Sequence, residues 1–133
     1  PPSKLVDAQI TDSIVCEGTI LKSCSILHCV LGVRSRIESD AVLEDTLVMG
    51  ADFFESSEER IELRKGGGIP LGVGEGSTVK RAILDKNTRI GNNVVIVNKD
   101  RVEEADRPDE GFYIRNGIVV VVKNTTITDG TII

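Results

Sequence analysis

An all-β chain, wound as a coil of short parallel strands, is predicted by three observations. Apolar residues recur every six positions in three separate segments. The aliphatic residues lean to β-branched types, with 16 Val and 15 Ile against 9 Leu, which favours strands over helices. Thirteen Gly supply many tight turns, while aromatics make up only 3%, so aliphatic side chains must fill the core. A period of six fits neither the 3.6 of a helix nor the 2 of a flat strand. It fits a three-sided coil with one six-residue repeat per face, so that a full turn takes about 18 residues.

Val15, Leu21, Leu27 and Val33 open the series, with Thr19, Ser25, Leu31 and Ile37 four positions after each. On this reading the first set points to the axis, and a smaller residue sits near each corner. The series breaks at 50–71, where Ser56 followed by Glu59 forms a capping box and Gly66 is a stop signal. One short helix on an inserted loop is expected there. The repeat resumes as Val73, Val79, Leu84, Ile90 and Ile96, with Thr88 and Val94 at the four-later positions. A second interruption, 98–116, is polar and is expected to be a protruding loop whose return is packed by Phe112 and Tyr113. Val121, Ile127 and Ile133 close the series, with Thr125 and Thr131 four later. Gly74, Gly91, Gly130, Asn87 and Asn92 fall where corners would call for a positive φ.

Length and charge narrow the function. A chain of 133 residues suits a single domain, 1–133. Its net charge of −5 argues against non-specific nucleic-acid binding, which rests on neutralising phosphates. The longest apolar run, Ile118 to Val122, is far too short to span a membrane. The N-terminus, Pro1-Pro2-Ser3-Lys4, carries no signal or transit pattern and reads as excised from something longer. Cys16, Cys24 and Cys29 are odd in number and contain no C-x-x-C, so reduced, buried thiols are expected rather than zinc.

Candidate chemistry is sparse. Gly72-Val73-Gly74-Glu75-Gly76 lacks the flanking strand and helix of a dinucleotide loop, and Gly66-Gly67-Gly68 has no following Lys-Ser or Lys-Thr. His28 is a lone histidine without a positioned nucleophile. Glu58-Glu59, Glu103-Glu104 and Asp109-Glu110 belong to polar excursions and read as solvated faces. Lys86 and Lys123 lie outside the stacked apolar positions. A regular coil sets distant residues side by side, so two such cations on one face can hold a phosphate or carboxylate. Arg34 and Arg36 are comparable candidates.

Two resemblances add to this reading. The six-residue period resembles that of hexapeptide-repeat proteins, which implies a left-handed parallel β-helix. More specifically, PPSK at Pro1, SIV at Ser13, GVRSR at Gly32, EDTLVMGADFFE at Glu44, IPLGVGEGSTVKRAILDKNTRIGNNVVIVNKD at Ile69 and EADRPDEGFYIRNGIVVVVKNTTITDGTII at Glu104 resemble the C-terminal domain of plant ADP-glucose pyrophosphorylases (glucose-1-phosphate adenylyltransferases). The Gly32 and Asp106 stretches are closer to the large, regulatory-type subunit.

That resemblance implies a parent enzyme making ADP-glucose and pyrophosphate from ATP and glucose 1-phosphate, with Mg²⁺, for starch synthesis in plastids. It also implies a heterotetramer of large and small subunits. Catalysis would belong to an N-terminal nucleotidyltransferase domain, so no catalytic residue, metal ligand or cofactor is expected in this segment. The segment would pack on that domain, join subunits, and help bind the activator 3-phosphoglycerate and the inhibitor phosphate. The family's anion-contacting lysines map onto Lys86 and Lys123; Thr88 stands where the family usually has Ala. Two alternatives stand beside this: a hexapeptide acyltransferase using coenzyme A and His28, and the scaffold β-helix of another sugar-nucleotide pyrophosphorylase.

Overall fold

The computed structural model describes all 133 residues. The first coil carries β1 (Lys4–Val6), β2 (Gln9–Thr11) and β3 (Ile14–Val15); the second β4 (Ile20–Lys22), β5 (Ser25–Leu27) and β6 (Val30–Leu31); the third β7 (Arg36–Ile37), β8 (Val42–Glu44) and β9 (Leu47–Val48). After an insertion bearing α1 (Ser57–Lys65) come β10 (Gly72–Val73), β11 (Thr78–Lys80) and β12 (Ala82–Leu84), then β13 (Arg89–Ile90) and β14 (Val95–Ile96). β15 (Glu104–Arg107), β16 (Phe112–Arg115), β17 (Ile118–Val121) and β18 (Thr126–Ile127) complete the chain. Strands from successive coils pair in parallel and build three faces: β1-β4-β7-β10-β13-β18, β2-β5-β8-β11-β14, and β3-β6-β9-β12-β17.

This is a parallel β-helix, and its core is a set of columns. Leu21, Ile37, Val73, Ile90 and Ile127 stack on the first face. Ile26, Leu43, Val79 and Ile96 stack on the second. Leu31, Val48, Leu84 and Val121 stack on the third. All of these are buried. Each such side chain contributes roughly 1.5–3 kcal/mol when removed from water.

The coil is tighter than the expected 18 residues. Leu5 pairs with Leu21 and Ile26 with Leu43, offsets of 16 and 17 residues. The reason lies in two kinds of corner. From Leu21 to Ile26 and from Ile26 to Leu31 the step is five residues, turned by a single left-handed residue, Ser23 or His28. From Val73 to Val79 and from Leu84 to Ile90 the step is six, turned by a pair ending in Gly76 or Asn87. Val15 and Leu21 face inward as the period predicts, but Leu27 does not. Leu27 points outward at 42% exposure, and Ile26 takes its place at 1%. Leu31 and Ile37, read as small-residue positions, are themselves column residues, and Ser25 is exposed.

Small inward residues come two positions before most column residues; Leu71, Val94 and Val119 stand there before Val73, Ile96 and Val121. The small residues are Thr19, Ser35 and Thr88 on the first face, Cys24, Ala41 and Ser77 on the second, Cys29, Thr46 and Ala82 on the third, all buried. Their polar atoms are satisfied locally. Thr19 Oγ1 donates to the Cys16 carbonyl at 2.7 Å; Ser77 Oγ donates to the Gly91 carbonyl at 2.7 Å and accepts from Val94 N at 3.0 Å. No buried side-chain polar atom lacks a partner. Cys24 and Cys29 are therefore corner fillers. All three cysteines are free thiols, and burial raises Cys24 and Cys29 above the usual cysteine value.

Fourteen non-glycine residues have positive φ, and nine of them are Asp or Asn, whose short polar side chains tolerate that region. Asn87 and Gly130 are among the left-handed residues, as predicted. Gly74, Gly91 and Asn92 are not; Asn93 makes that corner instead. Gly74 and Gly91 are required for close approach: a Cβ on Gly74 would collide with the Gly91 carbonyl, and one on Gly91 with Asp129.

α1 begins and ends as predicted. Ser56 Oγ accepts from Glu59 N at 3.1 Å, the Glu59 carboxylate accepts from Ser56 N at 3.1 Å, and Gly66 caps the C-terminus. With nine residues it is the longest helix, and no helix is long and apolar enough to cross a membrane. The second interruption differs from expectation. It is not a loop: β15 and β16 run antiparallel and extend the third face beyond β17, joined by a 3₁₀ turn at Pro108–Glu110 and left-handed Gly111. Phe112 and Ile114 are buried on it, while Tyr113 stacks its ring 5.3 Å from the Arg115 guanidinium.

The outer surfaces of the three faces differ. The insertion covers the first. On the third, Ile14, Val30, Leu47, Ile83 and Val120 align outward. Ile14 is 62% exposed and Val30 38%. A shallow groove of about 540 Å³ runs along the first four.

A polar tie joins α1 to the last coil. Asp129 accepts from Asn92 N at 2.7 Å and from Arg64 Nη1 at 3.0 Å, and Arg64 Nη2 donates to Asn92 Oδ1 at 2.9 Å. The Asn92 amide first, then Arg64, hold the Asp129 carboxyl below its ordinary value. Because the folded value is the lower one, this contribution is complete above the unfolded value of roughly 3.9. It is lost as pH falls through the depressed folded value. Urea midpoints measured between about pH 5 and pH 2 should fall with acid, and less steeply in Asp129→Asn; identical slopes would show that the tie is not linked to stability.

Candidate anion site at a coil corner

The corner between the third and first faces gathers the candidate cations. Leu84 pairs with Val121 on one side of it and Arg89 with Thr126 on the other, an offset of 37 residues in both cases. Lys86 and Lys123 are separated by the same 37 positions, so they occupy one corner in successive coils. Backbone bonds confirm the stacking: Asn124 N donates to the Lys86 carbonyl at 3.0 Å, and Asp85 N to the Val121 carbonyl at 3.0 Å. The second interruption is looped out between these coils without disturbing the register. Two lysines far apart in sequence thus share an edge, as the coil reading anticipates.

One coil below, the chain leaves the third face at Gly50 and enters the insertion. Asn87 N donates to the Gly50 carbonyl at 3.0 Å, and Ala51 N to the Val33 carbonyl at 3.0 Å. These bonds deliver Asp52 to the lysine edge. Lys86 Nζ donates to Asp52 Oδ1 at 3.1 Å. Asn87 grips the same residue twice, donating from Nδ2 to Asp52 Oδ2 at 2.9 Å and accepting from Asp52 N at 2.9 Å. Asn87 itself turns the corner, with a positive φ of 59° that a short polar side chain tolerates. The Asn87 hydrogen bond, then that of Lys86, lower the Asp52 carboxyl below its ordinary value, and the Lys123 charge adds to this. Lys86 and Asp52 remain 44% and 47% exposed, so the site is open to solvent.

The other sequence candidates are occupied elsewhere. Arg34 donates from Nε to the Ala51 carbonyl at 2.8 Å and lies 5.9 Å from the Phe54 ring. Arg36 donates from Nε to Glu38 Oε2 at 2.7 Å. Both fasten the insertion and its neighbours. His28 turns a five-residue corner, with Nδ1 2.7 Å from Asp45 Oδ1 and its side chain 74% exposed. The adjacent Cys29 is buried and donates its thiol to the Leu27 carbonyl, so it offers His28 no nucleophile. No three His, Cys, Asp or Glu side chains converge as a metal-ligand set.

Sequence reasoning missed the partner of Lys86 and the buried centre beside it. Glu55, three residues past Asp52, is 3% exposed and accepts from Arg89 Nη1 at 2.8 Å, Arg60 Nη1 at 3.1 Å and Leu71 N at 2.8 Å. Burial, and secondarily Arg36, lowers the Arg60 value. Asp52 and Glu55 both lie in Gly50–Glu55, a stretch quoted for its resemblance but read only as loop.

A family model described as the GLGC left-handed parallel beta-helix domain matches residues 1–132. The chain belongs to that family. The match supplies the handedness that spacing alone does not carry: the GLGC-type β-helix winds left-handed. A curated relative, the chloroplastic/amyloplastic glucose-1-phosphate adenylyltransferase small subunit of Triticum aestivum, is 50% identical over all 133 residues. The chain spans only 28% of that relative's length. Both matches include the coil that contains His28.

Proposed function

We propose that this GLGC-type β-helix is the regulatory and assembly domain of an ADP-glucose pyrophosphorylase subunit. The parent enzyme makes ADP-glucose and pyrophosphate from ATP and glucose 1-phosphate in plastids, for starch synthesis. Its nucleotidyl transfer, with Mg²⁺, belongs to the N-terminal catalytic domain. The observation that carries the reading is the register that sets Lys86 and Lys123 on one open corner.

Two ammonium groups on one edge attract the carboxylate and phosphate of 3-phosphoglycerate, or inorganic phosphate, and the open corner leaves room for cations from the catalytic domain. An anion held between the two domains changes activity only by its difference in affinity for their arrangements. The aligned Ile14, Val30, Leu47 and Ile83 offer an apolar surface for that domain or for other subunits of a heterotetramer. The Gly32–Arg36 and Asp106–Ile118 stretches resemble large subunits, while the wheat relative is a small subunit; on the large-subunit reading, co-expression with a small subunit should yield the tetramer.

The test is Lys123→Glu in the full-length, assembled enzyme. Losing one charge-assisted contact of about 1.5–3 kcal/mol should raise the 3-phosphoglycerate concentration for half-activation by about tenfold or more. Unchanged activation curves would remove Lys123 from the site.

A further inference from the structure

Asp52 stands where an anionic ligand of the lysine edge would stand. Its Oδ1 takes the Lys86 Nζ hydrogen bond at 3.1 Å, the bond a phosphate or carboxylate oxygen needs. Its position is not accidental side-chain drift. Asn87 holds both its backbone N and its Oδ2, and Ala51 before it is pinned to Val33. The carboxylate is thereby aimed at the corner that Lys86 and Lys123 share.

We infer that Asp52 is a built-in competitor for the anion, holding Lys86 when no effector is bound and giving way when one arrives. This rests on the reading of Lys86 and Lys123 as an anion site and adds how that site is regulated. The exposure of both partners, 44% and 47%, makes the exchange feasible. Exposed ion pairs are weak, so a doubly charged phosphate outcompetes a single carboxylate. Like any exposed carboxylate, the competitor is ionised at neutral pH.

The displaced residue is also connected to something. Phe54, two residues on, packs beneath Arg34, and Glu55 is locked to Arg60 and Arg89. Loss of the Lys86 bond leaves the Asp52 backbone held by Asn87 between fixed points at Ala51 and Glu55, so the carboxylate gives way without unseating the insertion. A competitor of this kind sets the threshold for both effectors and discriminates between neither. The apparent affinity for any anion is reduced by the fraction of sites in which Lys86 is already taken.

The experiment uses the assembled full-length enzyme, with inorganic phosphate as the probe in equilibrium dialysis and 3-phosphoglycerate in activation curves. Asp52→Asn keeps the size and the capacity to bond Asn87 but removes the charge. It should tighten phosphate binding and lower the half-activating 3-phosphoglycerate concentration by about two- to fivefold each, the range expected for freeing one exposed pair. In a Lys86→Gln background the same substitution should have no such effect, because the competition runs through Lys86. Unchanged or weakened phosphate binding in Asp52→Asn overturns the inference, as does an equal gain with Lys86 absent. If instead Lys86→Gln and Lys123→Glu leave both effectors unaltered, the anion-site reading itself fails, and the two failures are told apart.

Discussion

Replacing Glu55 with Ala should destabilise the attachment of the insertion by about 3–5 kcal/mol. Glu55 is 3% exposed and serves three donors: Arg60, Arg89 and the Leu71 amide. Removing it leaves the Arg60 guanidinium, 12% exposed and near Arg36, with Glu38 at 3.6 Å as its remaining carboxylate, and leaves Arg89, 25% exposed, with the Ile69 carbonyl in place of a carboxylate. The penalty comes from leaving those buried charges under-compensated, not from the loss of a favourable pair. Swapping the whole cluster for apolar residues of similar volume would cost far less. Because the insertion is tied to the coils by this centre and by Arg64–Asp129, the change should appear first as local opening. Amide exchange in Ser57–Lys65 should accelerate strongly in Glu55→Ala, and the thermal midpoint should fall. Glu58→Gln, on the exposed side of α1, should change stability by less than about 0.5 kcal/mol. Equal effects of the two substitutions would show that Glu55 does not anchor the segment.

The same residues show how far a sequence read alone reaches. The fold class was legible because a coil needs an aliphatic residue on every face and a turn after it, and both recur along the chain. The helix was legible because Ser56, Glu59 and Gly66 act within one or two turns, where spacing fixes contact. The register of the first coils was not. A single left-handed residue such as Ser23 or His28 makes a corner as well as a two-residue turn does, and each such corner shortens the step by one. A strict six-residue count therefore drifts until Leu27 is assigned to the core in place of Ile26. Gly74 and Gly91 were misread for a related reason: the demand on them comes from the neighbouring coil, not from their own φ. The β15–β16 hairpin hid behind its charges, since Glu104–Arg107 carries no apolar alternation of its own. Lys86 and Lys123 were legible as a pair because a coil preserves register across an excursion. Asp52 was not, because its path to Lys86 depends on where the insertion leaves the third face.

A comparison of Leu31→Ala with Leu27→Ala tests the columns themselves. Leu31 is fully buried between Val15 and Val48, with Cys29 beside it at the corner. Truncation there removes several methyl-sized groups from a stack whose backbone is fixed by parallel ladders above and below, so the cavity cannot close. A cost of about 2–5 kcal/mol is expected, read as a lower urea midpoint with an unchanged slope. Leu27 lies on the outer side of the second face, 42% exposed, and its truncation should cost less than about 0.5 kcal/mol. In a coil, each layer is supported only by its neighbours, so a defect at Leu31 weakens the interfaces on both sides. The second coil should then open before the fourth, visible as faster amide exchange at Leu31 and Gly32 than at Leu84 and Asp85. The opposite ranking, with Leu27→Ala the costly change, would restore the strict six-residue register in the second coil and turn Ile26 outward.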